Sequence, residues 1–253
     1  MTKLFKTLGL IWVIAGMSFF IWMYISFDSR GFDESILESD NEIEVDMSDN
    51  LISFVPKSRV RGKVFFYPGA LVDPLAYSPL CRKLAENGYE TKIVRMPMRL
   101  ASLGYKLIKD RGILDGEGHV TLIGHSQGGK MAARFVYENP ASIENLVLLA
   151  TTHPRDFDLS GRNINVLKIF GSEDGVANRE KIVRNMPKLP MDTQYFEIDG
   201  GNHSNFGFYG TQLGDNGSST TRKEQLDLTV SKILEFLDSK GRKGKRLLPS
   251  SEY

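Results

Sequence analysis

Val120-Thr121-Leu122-Ile123-Gly124-His125-Ser126-Gln127-Gly128-Gly129 decides how this chain reads. Four β-favouring residues run into a turn of small residues built around one serine, and residues 129–137 then recur with helical spacing until Pro140 stops them. Gly-x-Ser-x-Gly between a strand and a helix is the setting of a nucleophile elbow. The serine of such an elbow sits in a strained backbone conformation, so its neighbours must be small. Gly124 and Gly128 flank it, and Gly129 adds room. The hydroxyl then projects above the strand end, and the first N–H groups of the helix point where an oxyanion would form. A glycine-rich turn carrying a solvent-facing serine has the same five letters, so the surrounding residues must decide between the two.

Working outward, strands and helices alternate. Upstream, Glu44-Val45-Asp46 and residues 51–55 read as a hairpin across Ser48-Asp49-Asn50. Residues 63–67 form an apolar strand ending at Pro68-Gly69, residues 75–86 a helix, residues 90–94 a strand, and residues 100–108 a helix. Downstream, strands are expected at 146–149, 166–170 and 194–198, with helices at 179–186 and 225–237. This alternation predicts an α/β fold: a mostly parallel sheet with helices on both faces. Ligand sites of such sheets lie beyond the C-terminal strand ends. The gap between the strands at 149 and 166 is short, which predicts a minimal lid and an open site.

A serine hydroxyl near neutral pH needs a base, and the base needs an orienting carboxylate. In this architecture they come in the order Ser, acid, His. Asp174 stands after the strand 166–170 and His203 after the strand 194–198, so each sits just past a predicted strand end. The chain has four histidines. His119 precedes its strand and falls at the wrong edge. His125 lies inside the elbow, with its side chain directed away from the hydroxyl. His153, in a loop at the correct edge, is the rival base, and Glu173, Asp156 and Asp158 are the rival acids. The oxyanion donors expected are the N–H of Gln127 and, from the loop after the 63–67 strand, that of Ala70, with Leu71 next. Met96 and Met98, apolar and on a loop at the correct edge, are candidate substrate-binding residues.

Phe66-Tyr67-Pro68-Gly69-Ala70, Gly124-His125-Ser126-Gln127-Gly128-Gly129, Phe170-Gly171-Ser172-Glu173-Asp174, Gly200-Gly201-Asn202-His203 and Phe206-Gly207-Phe208-Tyr209-Gly210 together resemble the α/β-hydrolase superfamily. Within it they look most like the compact branch grouped as family 5, related to dienelactone hydrolases, over residues 62–237. The resemblance implies Ser126 as nucleophile, Asp174 as acid and His203 as base. A Ser-Asp-His triad at this sheet edge predicts hydrolysis of a small-molecule ester by two-step acyl transfer, which requires no metal and no organic cofactor. Dienelactone hydrolases carry cysteine in the elbow, where this chain has serine. Peptidases, thioesterases and lipases share the fold, and so would a membrane-tethered binding protein without turnover.

Composition, charge and the chain ends set further bounds. Apolar residues make up 41% and charged residues 25% of 253 residues, ordinary for a globular domain. The net charge of +1 gives no global case for a nucleic-acid partner. A single cysteine, Cys81, permits no intramolecular disulfide and reads as a small buried hydrophobe. Residues 8–27 contain no charge, and a helix of that length spans roughly 30 Å, the thickness of a bilayer core. No small-x-small cleavage site comes after it, which favours an uncleaved anchor over a signal peptide; cleavage would make the protein secreted. Lys3 and Lys6 precede the run, so the N-terminus is expected in the cytoplasm and the main domain outside. The organisation expected is an anchor at 1–30, an acidic linker at 31–42, an α/β domain at 43–239 and a basic tail at 240–253.

Overall fold

The strands are β1 (Ile43–Met47), β2 (Leu51–Pro56), β3 (Gly62–Tyr67), β4 (Tyr89–Val94), β5 (Val120–His125), β6 (Asn145–Leu149), β7 (Asn165–Gly171) and β8 (Gln194–Ile198). They come from a computed structural model that describes residues 2–114 and 120–245. They form one sheet in the order β1-β2-β4-β3-β5-β6-β7-β8. β1 and β2 make the expected antiparallel hairpin, and β2 joins β4 antiparallel; every other pairing is parallel. β5 and β6 are buried at every position. A strand covered on both faces has no polar side to alternate with, hence the continuous apolar runs.

The helices are α1 (Thr2–Ser26), α2 (Ser78–Glu86), α3 (Ala101–Gly104), α4 (Leu107–Asp110), α5 (Gln127–Glu138), α6 (Arg179–Asn185) and α7 (Arg222–Lys245). Successive β3 side chains point to opposite faces, as a pleated strand requires. Val64 and Phe66 enter the core that holds Leu80 and Leu84 of α2 and Ile233 and Phe236 of α7. Phe65 and Tyr67 enter the core that holds Met131 and Phe135 of α5. Each such buried side chain contributes about 1.5–3 kcal/mol of hydrophobic stabilisation. Cys81 lies in the first core, where burial pushes its thiol up.

One register decides where chemistry can happen. Tyr67 pairs with Gly124, His125 with Leu149, and Gly171 with Ile198. The C-terminal ends of β3, β5, β6, β7 and β8 therefore share one edge. The connection 150–164 between β6 and β7 contains no helix or strand, which leaves that edge without a lid domain.

Three stretches differ from expectation. The helix expected at 100–108 is two short helices, because the carbonyl of Tyr105 accepts a hydrogen bond from the buried Tyr67 hydroxyl and leaves the helical ladder. Residues 31–42 are not a free linker: Glu34–Leu37 is a 3₁₀ turn capped by Asp33, and Arg82, only 6% exposed, donates to the carbonyls of Ile36 and Glu38 and pairs with Asp40. The last helix continues through Lys245, past the expected start of the basic tail; residues 246–253, like His119, lie outside the described residues.

Among the described residues one helix, Lys3–Ser26, is long and apolar enough to cross a membrane. Its C-terminal end is fastened to the domain. Phe27 is buried with its ring edge-on to Tyr209 at 5.5 Å. The Asp73 N–H donates to the Phe27 carbonyl (2.9 Å), the Arg30 N–H to that of Phe208 (2.8 Å) and the Gly210 N–H to that of Ser26 (3.0 Å). Arg99 pairs with Asp28 at 2.7 Å and lies 4.0 Å over the Tyr24 ring. These partners stand in loops after β3, β4 and β8, so α1 leaves the domain at the edge where the strands end.

Candidate active site

Ser126 joins β5 to α5 with φ 53° and ψ −115°, a conformation that costs an L-residue of order 1–3 kcal/mol. Its N–H donates to the Leu149 carbonyl (2.9 Å), and its own carbonyl accepts from the Lys130 N–H (3.1 Å). The flanking glycines are required by close backbone approach. A Cβ on Gly124 would lie 2.5 Å from the carbonyl carbon of Gly128, and one on Gly128 would lie 2.0 Å from the carbonyl oxygen of Tyr67. The elbow therefore closes directly over the end of β3.

Asp174 and His203, on the loops after β7 and β8, meet. Nδ1 of His203 lies 3.0 Å from Oδ2 and 3.1 Å from Oδ1 of Asp174. Asp174 Oδ1 also accepts the N–H groups of Val176 (2.9 Å) and Ala177 (2.6 Å), which fix the carboxylate. Nε2 of His203 is buried and has no hydrogen-bond partner among the described residues. His203 and Ser126 line the same cavity, of about 280 Å³. No hydrogen bond joins them.

The loop carrying His203 is pinned by Asp215. Its Oδ1 accepts the N–H groups of His203 (3.2 Å), Gly175 (3.3 Å) and Asn216 (3.0 Å), and its Oδ2 accepts the N–H (2.8 Å) and hydroxyl (2.7 Å) of Ser204. One carboxylate thus ties the Asp174 loop to the His203 loop. An asparagine there would turn an NH₂ toward donors on one side or the other. Asp215→Asn is expected to destabilise the fold by about 1–3 kcal/mol. Thermal unfolding checks this; an unchanged midpoint contradicts it.

The other candidates take different places. His125 is fully buried and directed away from the cavity side of the elbow: its Nδ1 lies 2.8 Å from the Tyr77 hydroxyl, and its ring packs 4.8 Å from that of His203. Burial, with His203 alongside, holds it well below the usual histidine range and therefore neutral. The Tyr77 hydroxyl also accepts the N–H of Gly69 (3.0 Å), fixing the turn before Ala70. Among the described residues the N–H of Ala70 and of Gln127 donate to no protein acceptor, whereas that of Leu71 is taken by the Arg99 carbonyl (2.7 Å). Gln127 lines the cavity; Ala70 stands on the β3 loop beneath which Gly128 packs. The two methionines are not brought to the site. Met96 is 6% exposed in the core beside α3, Met98 is 74% exposed, and neither lines the cavity. His153 does line it, but its Nε2 is 3.1 Å from the Arg155 guanidinium and, among the described residues, no carboxylate hydrogen-bonds to its ring. Burial first, then the charges of Arg155 and Lys130, bring its pKa down to about 4. Among the described residues no group of three His, Cys, Asp or Glu is arranged to hold a metal ion.

A family model described as the alpha/beta hydrolase family matches residues 63–227. The chain belongs to the alpha/beta hydrolase family. No curated protein matches it. Among solved structures, this alpha/beta hydrolase is similar to a predicted CIB-like hydrolase from Thermoplasma acidophilum, with 14% identity over 76% of this chain and 97% of that one and a TM-score of 0.56. It is similar to Est1E from Butyrivibrio proteoclasticus, with 12% identity over 78% and 100% and a TM-score of 0.53. An alpha/beta hydrolase enzyme from the sediment metagenome of the Mar Chica lagoon, Morocco, gives 16% identity over 63% and 89% and a TM-score of 0.51. At these identities the likeness is one of fold.

Several residues of this alpha/beta hydrolase's cavity carried no motif. Lys130, Arg155 and Lys181 line it, and Asp215 and Tyr77 brace its walls. Lys130 had a detectable signal, lying one helical turn after the serine. The other four become neighbours of the site only through the strand register.

Proposed function

We propose that this protein is a serine hydrolase that cleaves a carboxylic ester through Ser126, His203 and Asp174. The observation that carries the reading is the Asp174 carboxylate on Nδ1 of His203 while Nε2, without a partner, shares a cavity with a strained serine. Asp174 holds the proton on Nδ1, so Nε2 is the free base. Nε2 takes the proton of Ser126 as Oγ bonds to the ester carbonyl carbon. The N–H groups of Gln127 and Ala70 stabilise the resulting oxyanion. His203 then gives the proton to the leaving alkoxide as the C–O bond breaks, leaving an acyl-serine. Water, deprotonated by the same nitrogen, releases the acid and restores Ser126.

A panel of p-nitrophenyl esters of graded acyl length tests this on the full chain in non-ionic detergent. Turnover that vanishes in Ser126→Ala supports the reading; equal turnover in that variant overturns it.

The N-terminal helix is read as a retained anchor, with the N-terminus cytoplasmic and the domain outside the cytoplasm. Retention is supported by the residues just past the helix, since Phe27, Ser29 and Arg30 pack into the fold and bond to it. Lys3 and Lys6 support the orientation. External protease is expected to digest the domain in intact cells or spheroplasts; protection until lysis contradicts that orientation. Because α1 leaves the domain at the strand-end edge, an anchored protein holds its cavity near the bilayer surface.

A further inference from the structure

The cavity around Ser126 is charged with one sign. Three cations line it from three separate elements: Lys130 in the first turn of α5, Arg155 in the connection after β6, and Lys181 in the first turn of α6. No aspartate or glutamate is part of its lining. Among the described residues Lys130 and Lys181 form no ion pair, and the Arg155 guanidinium bonds only to the neutral ring of His153. The carboxylates next along the chain, Asp156 and Glu180, stand outside the cavity.

A fourth basic group lies outside the cavity lining, bonded to the lining residue His153. Lys168 on β7, 1% exposed, donates to the His153 carbonyl (2.8 Å) and has no carboxylate partner among the described residues. Burial brings it down to about 7. His153, held neutral by its lowered pKa, adds no charge of its own. Like charges gathered in a partly enclosed site repel one another, and the low-dielectric wall strengthens the field they project into it. An entering anion relieves that repulsion and a neutral ligand does not. A phosphate or carboxylate is also what two ammonium groups and a guanidinium can bond at once.

The elbow sets the position of one of them. The Lys130 N–H donates to the Ser126 carbonyl, so Lys130 lies one helical turn from the nucleophile. We propose that the substrate is an ester bearing a carboxylate or phosphate a few bonds from the scissile carbonyl, held by Lys130, Arg155 and Lys181. The inference rests on the serine hydrolase reading. The anion belongs either to a small soluble ester or to an acidic lipid at the membrane surface; its chemistry is the same in both.

Matched substrates test it on the full chain in non-ionic detergent or in vesicles. The soluble arm compares the p-nitrophenyl monoester of adipic acid with p-nitrophenyl heptanoate. The lipid arm compares phosphatidylglycerol with diacylglycerol, which has the same acyl esters but no phosphate. In at least one arm kcat/KM is expected to favour the anionic member by roughly tenfold or more, with the ratio falling as salt is added. In the combined variant Lys130→Gln, Arg155→Gln, Lys181→Gln that ratio is expected to fall toward one. A neutral member cleaved as well as its anionic partner in both arms overturns this inference and leaves the hydrolase reading standing. A ratio that survives the triple substitution also overturns it. No turnover of any ester, with no labelling by a fluorophosphonate, overturns both.

Discussion

Ester turnover is expected to fall roughly 10³-fold or more in His203→Ala, and by a comparable factor in Asp174→Asn. The histidine variant removes the group proposed to take the serine proton. The asparagine variant keeps the shape and reverses the tautomer. Asp174 Oδ1 is committed to the N–H groups of Val176 and Ala177. The asparagine carbonyl oxygen would therefore keep that position and leave its NH₂ facing Nδ1 of His203. Nδ1 would then accept, the proton would move to Nε2, and Nε2 would cease to be a base. Initial rates on an activated ester, with circular dichroism to show that the variants fold, check this. Near-normal rates in either folded variant contradict the assignment.

The largest effect on stability is expected from Gly128→Ala. The added methyl would stand 2.0 Å from the Tyr67 carbonyl oxygen and 2.5 Å from that of Pro68. Both are backbone atoms of the strand end, so neither can swing aside as a side chain would. Relief requires α5 to move off β3, which opens the elbow and disturbs the core around Tyr67 and Phe135. The cost is expected to reach about 4 kcal/mol or more, the range kept for severe overpacking. Gly161→Ala is the control, since nothing lies within 4 Å of its Cβ position. Its unfolding midpoint is expected to stay close to the parent's, while that of Gly128→Ala drops by many degrees or the chain fails to fold.

The parts of this molecule that were legible in its sequence are those decided by local chemistry. The elbow announces itself because a strained serine needs glycines beside it, and the sheet because strands buried on both faces have no polar alternation. Asp174 and His203 stand out because the residue after a β-strand end in this architecture faces the site. What escaped depends on which loops the register brings together. Asp215 is an ordinary loop aspartate until the β7 and β8 ends align and give it five donors. Arg155 and Lys181 are surface cations until the same alignment turns them toward Ser126. Met96 and Met98 misled because the loop after β4 is engaged elsewhere, Arg99 being held by Asp28 and Tyr24 at the end of α1. Residues 31–42 misled because an acidic stretch reads as solvated, whereas a buried arginine on α2 binds their carbonyls.

Covalent labelling tests the central claim most directly. A fluorophosphonate reacts with a serine only when a neighbouring base activates it, and the site of attachment can be read by peptide mass spectrometry. The full-length wild-type chain is expected to carry one adduct, on Ser126, with labelling lost in Ser126→Ala and strongly slowed in His203→Ala. A folded wild-type chain that never labels, or that labels at another residue, would contradict a hydrolase built on Ser126.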